Sequence, residues 1–81
     1  MEKNMKVEIY GASWCTTCKD AVAFCKNKSI DYDYIDIDDT VNLRSLEERV
    51  GAKIRAVPQI FLDDKHVGSL TGLLLEVSKI N

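Results

Sequence analysis

Apolar and polar residues alternate along Lys6-Val7-Glu8-Ile9-Tyr10, with Val7 and Ile9 on one face and Glu8 on the other, which is the period of a half-buried strand. The period then lengthens. From about Cys15 to Lys28, Cys18, Val22 and Cys25 recur at i, i+4 and i+7 with Ala21 and Phe24 beside them. Lys19, Asp20, Lys26 and Asn27 fall on the other side, so an amphipathic helix is predicted. After the connection Ser29-Ile30-Asp31, a second strand is expected over Tyr32–Ile37. Its alternation changes phase between Tyr34 and Ile35, the pattern of a bulge or of a strand covered on both faces. Thr40 is the expected N-cap of a helix over about Val41–Val50, with Leu43, Leu46 and Val50 as its apolar stripe. Arg44, Glu47, Glu48 and Arg49 lie outside that stripe, and Gly51 follows as the C′ residue. A third strand is expected over Val57–Leu62, with Pro58 at its first position because proline has no N–H for a ladder. Asp63-Asp64-Lys65 is turn chemistry, and His66-Val67-Gly68 returns as the second arm of a hairpin. Ser69 is placed to cap a last helix over about Leu70–Ile80, carrying Leu73, Leu74, Val77 and Ile80, although Gly72 weakens its first turn. The order β-α-β-α-β-β-α joins a parallel βαβ unit to a hairpin. That implies an α/β fold with one four-stranded mixed sheet flanked by helices.

Composition narrows the functional classes more than it alters this architecture. Eighty-one residues make a single domain over 1–81, with Met1–Asn4 read as a frayed extension and Met5 as an alternative start. The apolar fraction of 46 % is that of a folded domain, which argues against disorder. A net charge of −2 with scattered Lys and Arg offers no basic stripe, so no nucleic-acid partner is expected. No stretch approaches the roughly 18 apolar residues of a membrane span. No apolar run of the signal-peptide kind follows the first residues either. Three cysteines, an odd number, then read as cytosolic thiols and not as a disulfide framework, so the expected compartment is the cytoplasm.

Two of those cysteines carry the chemistry. Cys15-Thr16-Thr17-Cys18 falls where the first strand hands over to the first helix. Unpaired N–H groups and a partial positive charge at a helix start favour thiolate over thiol. Cys15 is therefore the expected nucleophile, and Cys18, one turn on, the thiol that resolves its mixed disulfide. Lys19 and the hydroxyls of Thr16 and Thr17 are near enough in sequence to influence the sulfurs. Zinc needs four ligands, and recruiting Cys25 and the lone His66 would require distant parts of the chain to converge, so no metal is expected. Cys25 reads as a small buried hydrophobe, and His66 as structural. Trp14 is expected to be exposed beside the dithiol as a contact platform. Arg44 and Arg55 are candidates for gripping a substrate carboxylate. Thr71 is a candidate hydroxyl donor from the last helix.

Cys15-Thr16-Thr17-Cys18 after the first strand, Val57-Pro58-Gln59-Ile60-Phe61 at the third and His66-Val67-Gly68 behind it resemble the glutaredoxins of the thioredoxin superfamily, from about Met5 to Ile80. The resemblance implies a thioredoxin-like fold and a dithiol–disulfide oxidoreductase that reduces protein disulfides or glutathione mixed disulfides. It further implies a cis Pro58 facing the dithiol, with the Val57 backbone pairing with a bound thiol substrate. The substrate or glutathione site would comprise Trp14, Thr17, Val57, Pro58, Arg44, Arg55 and Thr71. Glutathione is the implied co-substrate, with no bound cofactor, and the protein is expected to act as a monomer. Several positions depart from the family pattern. Thr16-Thr17 replaces the usual Pro-Tyr, and Ala12 stands where a lysine is common. Gly68 is followed by Ser69-Leu70-Thr71-Gly72 without a carboxylate, and Trp14 is a thioredoxin-like feature. The alternatives are a thioredoxin-like electron donor, for example to ribonucleotide reductase, recycled by thioredoxin reductase, and an iron–sulfur carrier.

Overall fold

In a computed structural model, which describes residues 5–80, the Val7–Ile9 alternation becomes β1 (Lys6–Gly11), flanked on both sides by other strands. The expected extension Met1–Asn4 and the side chain of Ile80 lie outside the described residues. The remaining elements are α1 (Thr16–Asn27), β2 (Asp31–Asp36), α2 (Thr40–Val50), β3 (Gln59–Leu62), β4 (Lys65–Gly68) and α3 (Leu70–Ile80). The sheet order is β2-β1-β3-β4. β1 runs parallel to β2 from Lys6↔Asp31 to Gly11↔Asp36 and antiparallel to β3 from Val7↔Leu62 to Tyr10↔Gln59. The β3–β4 hairpin carries a register shift between Ile60 and Phe61. Asp63 and Asp64 adopt φ of 49° and 70°, the left-handed pair that a two-residue hairpin turn requires.

The two faces of the sheet are covered unequally. Val7, Ile9, Ala21, Cys25, Ile30, Ile60, Leu62, Leu73 and Val77 form the larger core beneath α1 and α3. On the other face Tyr10 and Phe61 meet Leu46 of α2, with Ile35, Ile37, Val50 and Ile54 at the margin. This division explains the phase change in β2. Tyr32 packs against the larger core and Ile35 against the smaller, while the β1–β2 register stays continuous. The strand is covered on both faces and is not bulged. Its aspartates Asp31, Asp33 and Asp36 are exposed along an edge of the sheet.

Three boundaries differ from the sequence expectation. β2 ends at Asp36, although Ile37 still donates a backbone hydrogen bond to the Gly11 carbonyl at 2.9 Å. Asp39, not Thr40, caps α2, its carboxylate accepting from the Val41 N–H at 2.9 Å. β3 starts at Gln59, after Pro58, because a residue without an N–H cannot open the ladder to Tyr10. Gly51 ends α2 at φ 83°, a left-handed position that glycine takes without strain. The Ser69 hydroxyl accepts from the Gly72 N–H at 3.3 Å at the start of α3, as a cap does. No helix among the described residues is long and apolar enough to cross a membrane.

Candidate active site

β1 delivers the chain through Gly11-Ala12-Ser13-Trp14 to α1, and the first thiol sits at the junction. Cys15 is the N-cap residue of α1, with extended backbone (φ −94°, ψ 112°), and its Sγ accepts from the Cys18 N–H at 3.1 Å. The cysteine thus occupies the place of a capping serine. A backbone donor aimed at sulfur holds an anion more strongly than a neutral thiol. Both thiols are free. Cys15 is 7 % exposed and Cys18 is 0 % exposed, so only the first reaches solvent. Burial, with the hydrogen bond to Cys15 second, pushes the Cys18 thiol up from 9.0 to about 11.

Glycine at position 11 is required by space. A Cβ there would lie 2.7 Å from Cys18 Sγ, 2.9 Å from Cys18 Cβ and 3.0 Å from Tyr34 Oη. The missing side chain lets the first turn of α1 settle onto the end of β1. Ala12, Cys15 and Cys18 pack together there, and Val57 closes against them. The Val57–Pro58 peptide bond is cis and Pro58 is buried. Trp14 is 73 % exposed and shares a depression of about 150 Å³ with Ile37, Ile54, Arg55, Ala56 and Val57. The Ser13 hydroxyl donates to Asp38 at 3.5 Å, tying the loop before Cys15 to the turn after β2.

The structure brings Cys15, Cys18, Trp14, Val57, Pro58 and Arg55 to one end of the sheet and leaves other candidates elsewhere. Arg44 lines a separate depression on α2 with Thr40, Val41, Ser45 and Glu48. Thr17 is exposed in the first turn of α1, and Thr71 in the first turn of α3. Lys19 is also exposed and lines a cavity of about 460 Å³ with Ser13, Val22 and Tyr34. Cys25 is buried in the larger core, and burial raises its thiol too. His66 stacks on Phe61 at 4.8 Å and meets Gln59 Oε1 at 2.8 Å. Cys25 and His66 therefore lie in surroundings separate from the dithiol. Sequence reasoning missed Tyr34 and Gly11. The sole hint was the phase change in β2, which marks Tyr34 as a residue facing α1.

The glutaredoxin family profile matches residues 7–67. A probable glutaredoxin of Synechocystis is 38 % identical over 69 residues, covering 84 % of this chain and 77 % of that protein. Glutaredoxin 1 of Escherichia coli is 34 % identical over 73 residues, covering 83 % and 86 %. The crystal structure of glutaredoxin 1 from Francisella tularensis, complexed with cacodylate, superposes with a TM-score of 0.75 at 33 % identity, covering 94 % of this chain and 95 % of that one. With Cys15 capping α1, Cys18 one turn on and Val57 packed against both, on a four-stranded sheet shared with these relatives, the chain belongs to the glutaredoxin family, a thiol–disulfide oxidoreductase of the thioredoxin fold with Cys15-x-x-Cys18 as its redox pair.

Proposed function

We propose that the protein reduces protein disulfides and glutathione mixed disulfides in the cytoplasm, with Cys15 as nucleophile, Cys18 as resolving thiol and glutathione as the reductant. The observation that carries the assignment of roles is the asymmetry of the pair: Cys15 reaches solvent with an N–H on its sulfur, and Cys18 does not reach solvent. The Cys15 thiolate attacks one sulfur of the substrate disulfide, and the other sulfur leaves as a thiolate and takes a proton. Cys18 then loses its proton and attacks Cys15 Sγ. The mixed disulfide breaks, the second substrate thiol departs and the Cys15–Cys18 bond forms. Two glutathione thiols return the pair to the dithiol as they become glutathione disulfide, which closes the electron balance.

The Trp14–Arg55–Val57 depression beside Cys15 is the place for the substrate. There the Val57 backbone pairs with an extended peptide or with glutathione, Trp14 supplies a flat contact, and Arg55 offers a fork to a carboxylate. Arg55 takes over the charge that Ala12, buried against the dithiol, does not provide. The second reading, recycling by thioredoxin reductase, is favoured by that same Ala12 and by the absence of a carboxylate in Ser69-Leu70-Thr71-Gly72. Turnover of a small disulfide with glutathione plus glutathione reductase, compared with thioredoxin reductase, decides between them. Glutathione is expected to sustain turnover, and Cys15→Ser to abolish it. Turnover with thioredoxin reductase alone would overturn glutathione as reductant.

A further inference from the structure

Resolution demands a thiolate from Cys18, the sulfur that the fold has hidden from water and whose thiol burial holds up. A thiolate formed in such a place needs a donor other than bulk solvent. Cys15 cannot supply it in the mixed disulfide, because its sulfur then carries the substrate and has no proton, and the backbone of Ala12, which does favour the thiolate, does not offset the burial. On the side of Cys18 toward β2 stands the Tyr34 hydroxyl. It and Cys18 Sγ both line the space that a Gly11 Cβ would fill, at 3.0 Å and 2.7 Å from that position. Tyr34 is 41 % exposed, and its ring walls the cavity of about 460 Å³ formed with Ser13, Lys19 and Val22. One end of the residue thus faces the buried sulfur's surroundings while the rest opens to water.

We infer that Tyr34 is a positioning residue for the second half of the cycle: its hydroxyl hydrogen-bonds the Cys18 thiolate as it forms, across the gap left by Gly11. The Cys18 proton passes to solvent. The sulfur then attacks Cys15 Sγ, the bond from Cys15 to the substrate sulfur breaks, and the substrate leaves with the electron pair as a thiolate. Tyr34 is neither oxidised nor reduced. The charged and titratable groups around its hydroxyl are Cys15 and Cys18 at the start of α1, Asp36 at the end of β2 and Asp38 in the turn after it, with Lys19 on the cavity wall. Burial first, and these anionic neighbours after it, keep the phenol protonated and so a donor. The inference uses the dithiol pair of the family and is independent of which reductant recycles it.

The test is a single turnover of the reduced protein with 5,5′-dithiobis(2-nitrobenzoate), which separates the two halves of the cycle. Attack by Cys15 releases the first nitrothiobenzoate, and attack by Cys18 on the Cys15 mixed disulfide releases the second. Cys18→Ser marks the first release alone. In Tyr34→Phe, which keeps the ring, the first release is expected to stay within about twofold of wild type, while the second slows about tenfold at neutral pH. The pH dependence of the second release should move up by about one unit, since the thiolate has lost a donor. A second release unchanged in rate and pH dependence would overturn the inference, as would equal slowing of both releases, which signals a general disturbance. Absence of the first release in wild-type protein would instead strike at Cys15 as nucleophile.

Discussion

The same burial that makes Cys18 slow to ionise ties its titration to the stability of the fold. An unfolded Cys18 titrates near 9.0 and the folded one near 11. Below pH 9 both states carry the thiol and the folded state keeps its full advantage. As pH rises from 9 toward 11 the unfolded chain loses its proton first, so stability falls by on the order of 2 kcal/mol. Cys25, raised by burial, adds loss of the same sign. Urea midpoints of the reduced protein are therefore expected to drop between about pH 9 and about pH 11. The Cys15–Cys18 oxidised form, in which Cys18 cannot titrate, should drop less. Equal drops in the two forms would show that Cys18 is not responsible. At this scale the sequence was legible wherever a residue's role is set by its own neighbours in the chain. The Cys15–Cys18 pair and the burial of Cys25 follow from local spacing, and Trp14, expected to be exposed beside the dithiol, is exposed. Tyr34 and Gly11 were not legible, because their contact with Cys18 exists only once β1, β2 and α1 are assembled. Arg44 on α2 and Arg55 in the segment after it were equal candidates, because nothing local says which of them the fold carries to the dithiol. Only Arg55 is brought beside Trp14 and Val57.

Elements were read well where hydrophobic period and turn chemistry agree, and imperfectly where a tertiary contact overrides propensity. Gly72 is the clearest case. On propensity alone it weakens α3, and replacing it with alanine would strengthen a helix by about 1 kcal/mol. Yet a Cβ at Gly72 would strike the backbone carbonyl of Val67 in β4, an atom that cannot rotate away as a side-chain tip can. The glycine is there so that α3 can turn back tightly from β4 and bring Leu73 into the larger core. Gly72→Ala is accordingly expected to destabilise the protein by about 1–3 kcal/mol, the range for overpacking, as read from the denaturant midpoint. A variant as stable as the wild type would mean that α3 can shift outward without loss. The cap of α2 shows a milder mismatch. Thr40 and Asp39 are both good N-caps, and only the chain direction after β2 decides that Asp39 accepts the Val41 N–H.

For the molecule as a whole, the unequal covering of the sheet separates what stabilises the fold from what performs the chemistry. The larger core is apolar and lies beneath two helices, whereas the opposite face has three buried residues, Tyr10, Leu46 and Phe61, under α2 alone. Arg49 of α2 completes this smaller face. Its guanidinium lies 3.7 Å from the centre of the Phe61 ring, and pairs with Glu8 at 2.8 Å and Asp64 at 3.0 Å. It also donates to the Tyr10 hydroxyl at 3.2 Å. One side chain thus joins α2 to β1, to β3 and to the hairpin turn, and it replaces apolar mass that a chain this short does not supply on that side. A cation over an aromatic ring contributes about 0.5–1 kcal/mol. A part-exposed ion pair adds about 0.2–1 kcal/mol. Arg49→Ala is therefore expected to lower stability by about 1–2 kcal/mol. Hydrogen exchange should quicken first in α2, the element it ties down. Its partners do not include the dithiol, so the rate at which Cys15 attacks a small disulfide is expected to stay within about twofold of wild type under conditions where the variant is folded. Measuring denaturant midpoint and single-turnover rate on one preparation tests both halves together. Lost stability with retained chemistry fits the division of the sheet into a lightly covered structural face and an active end. A large fall in rate in folded protein would show that α2 and the dithiol are coupled, and that the smaller core also holds the active site in shape.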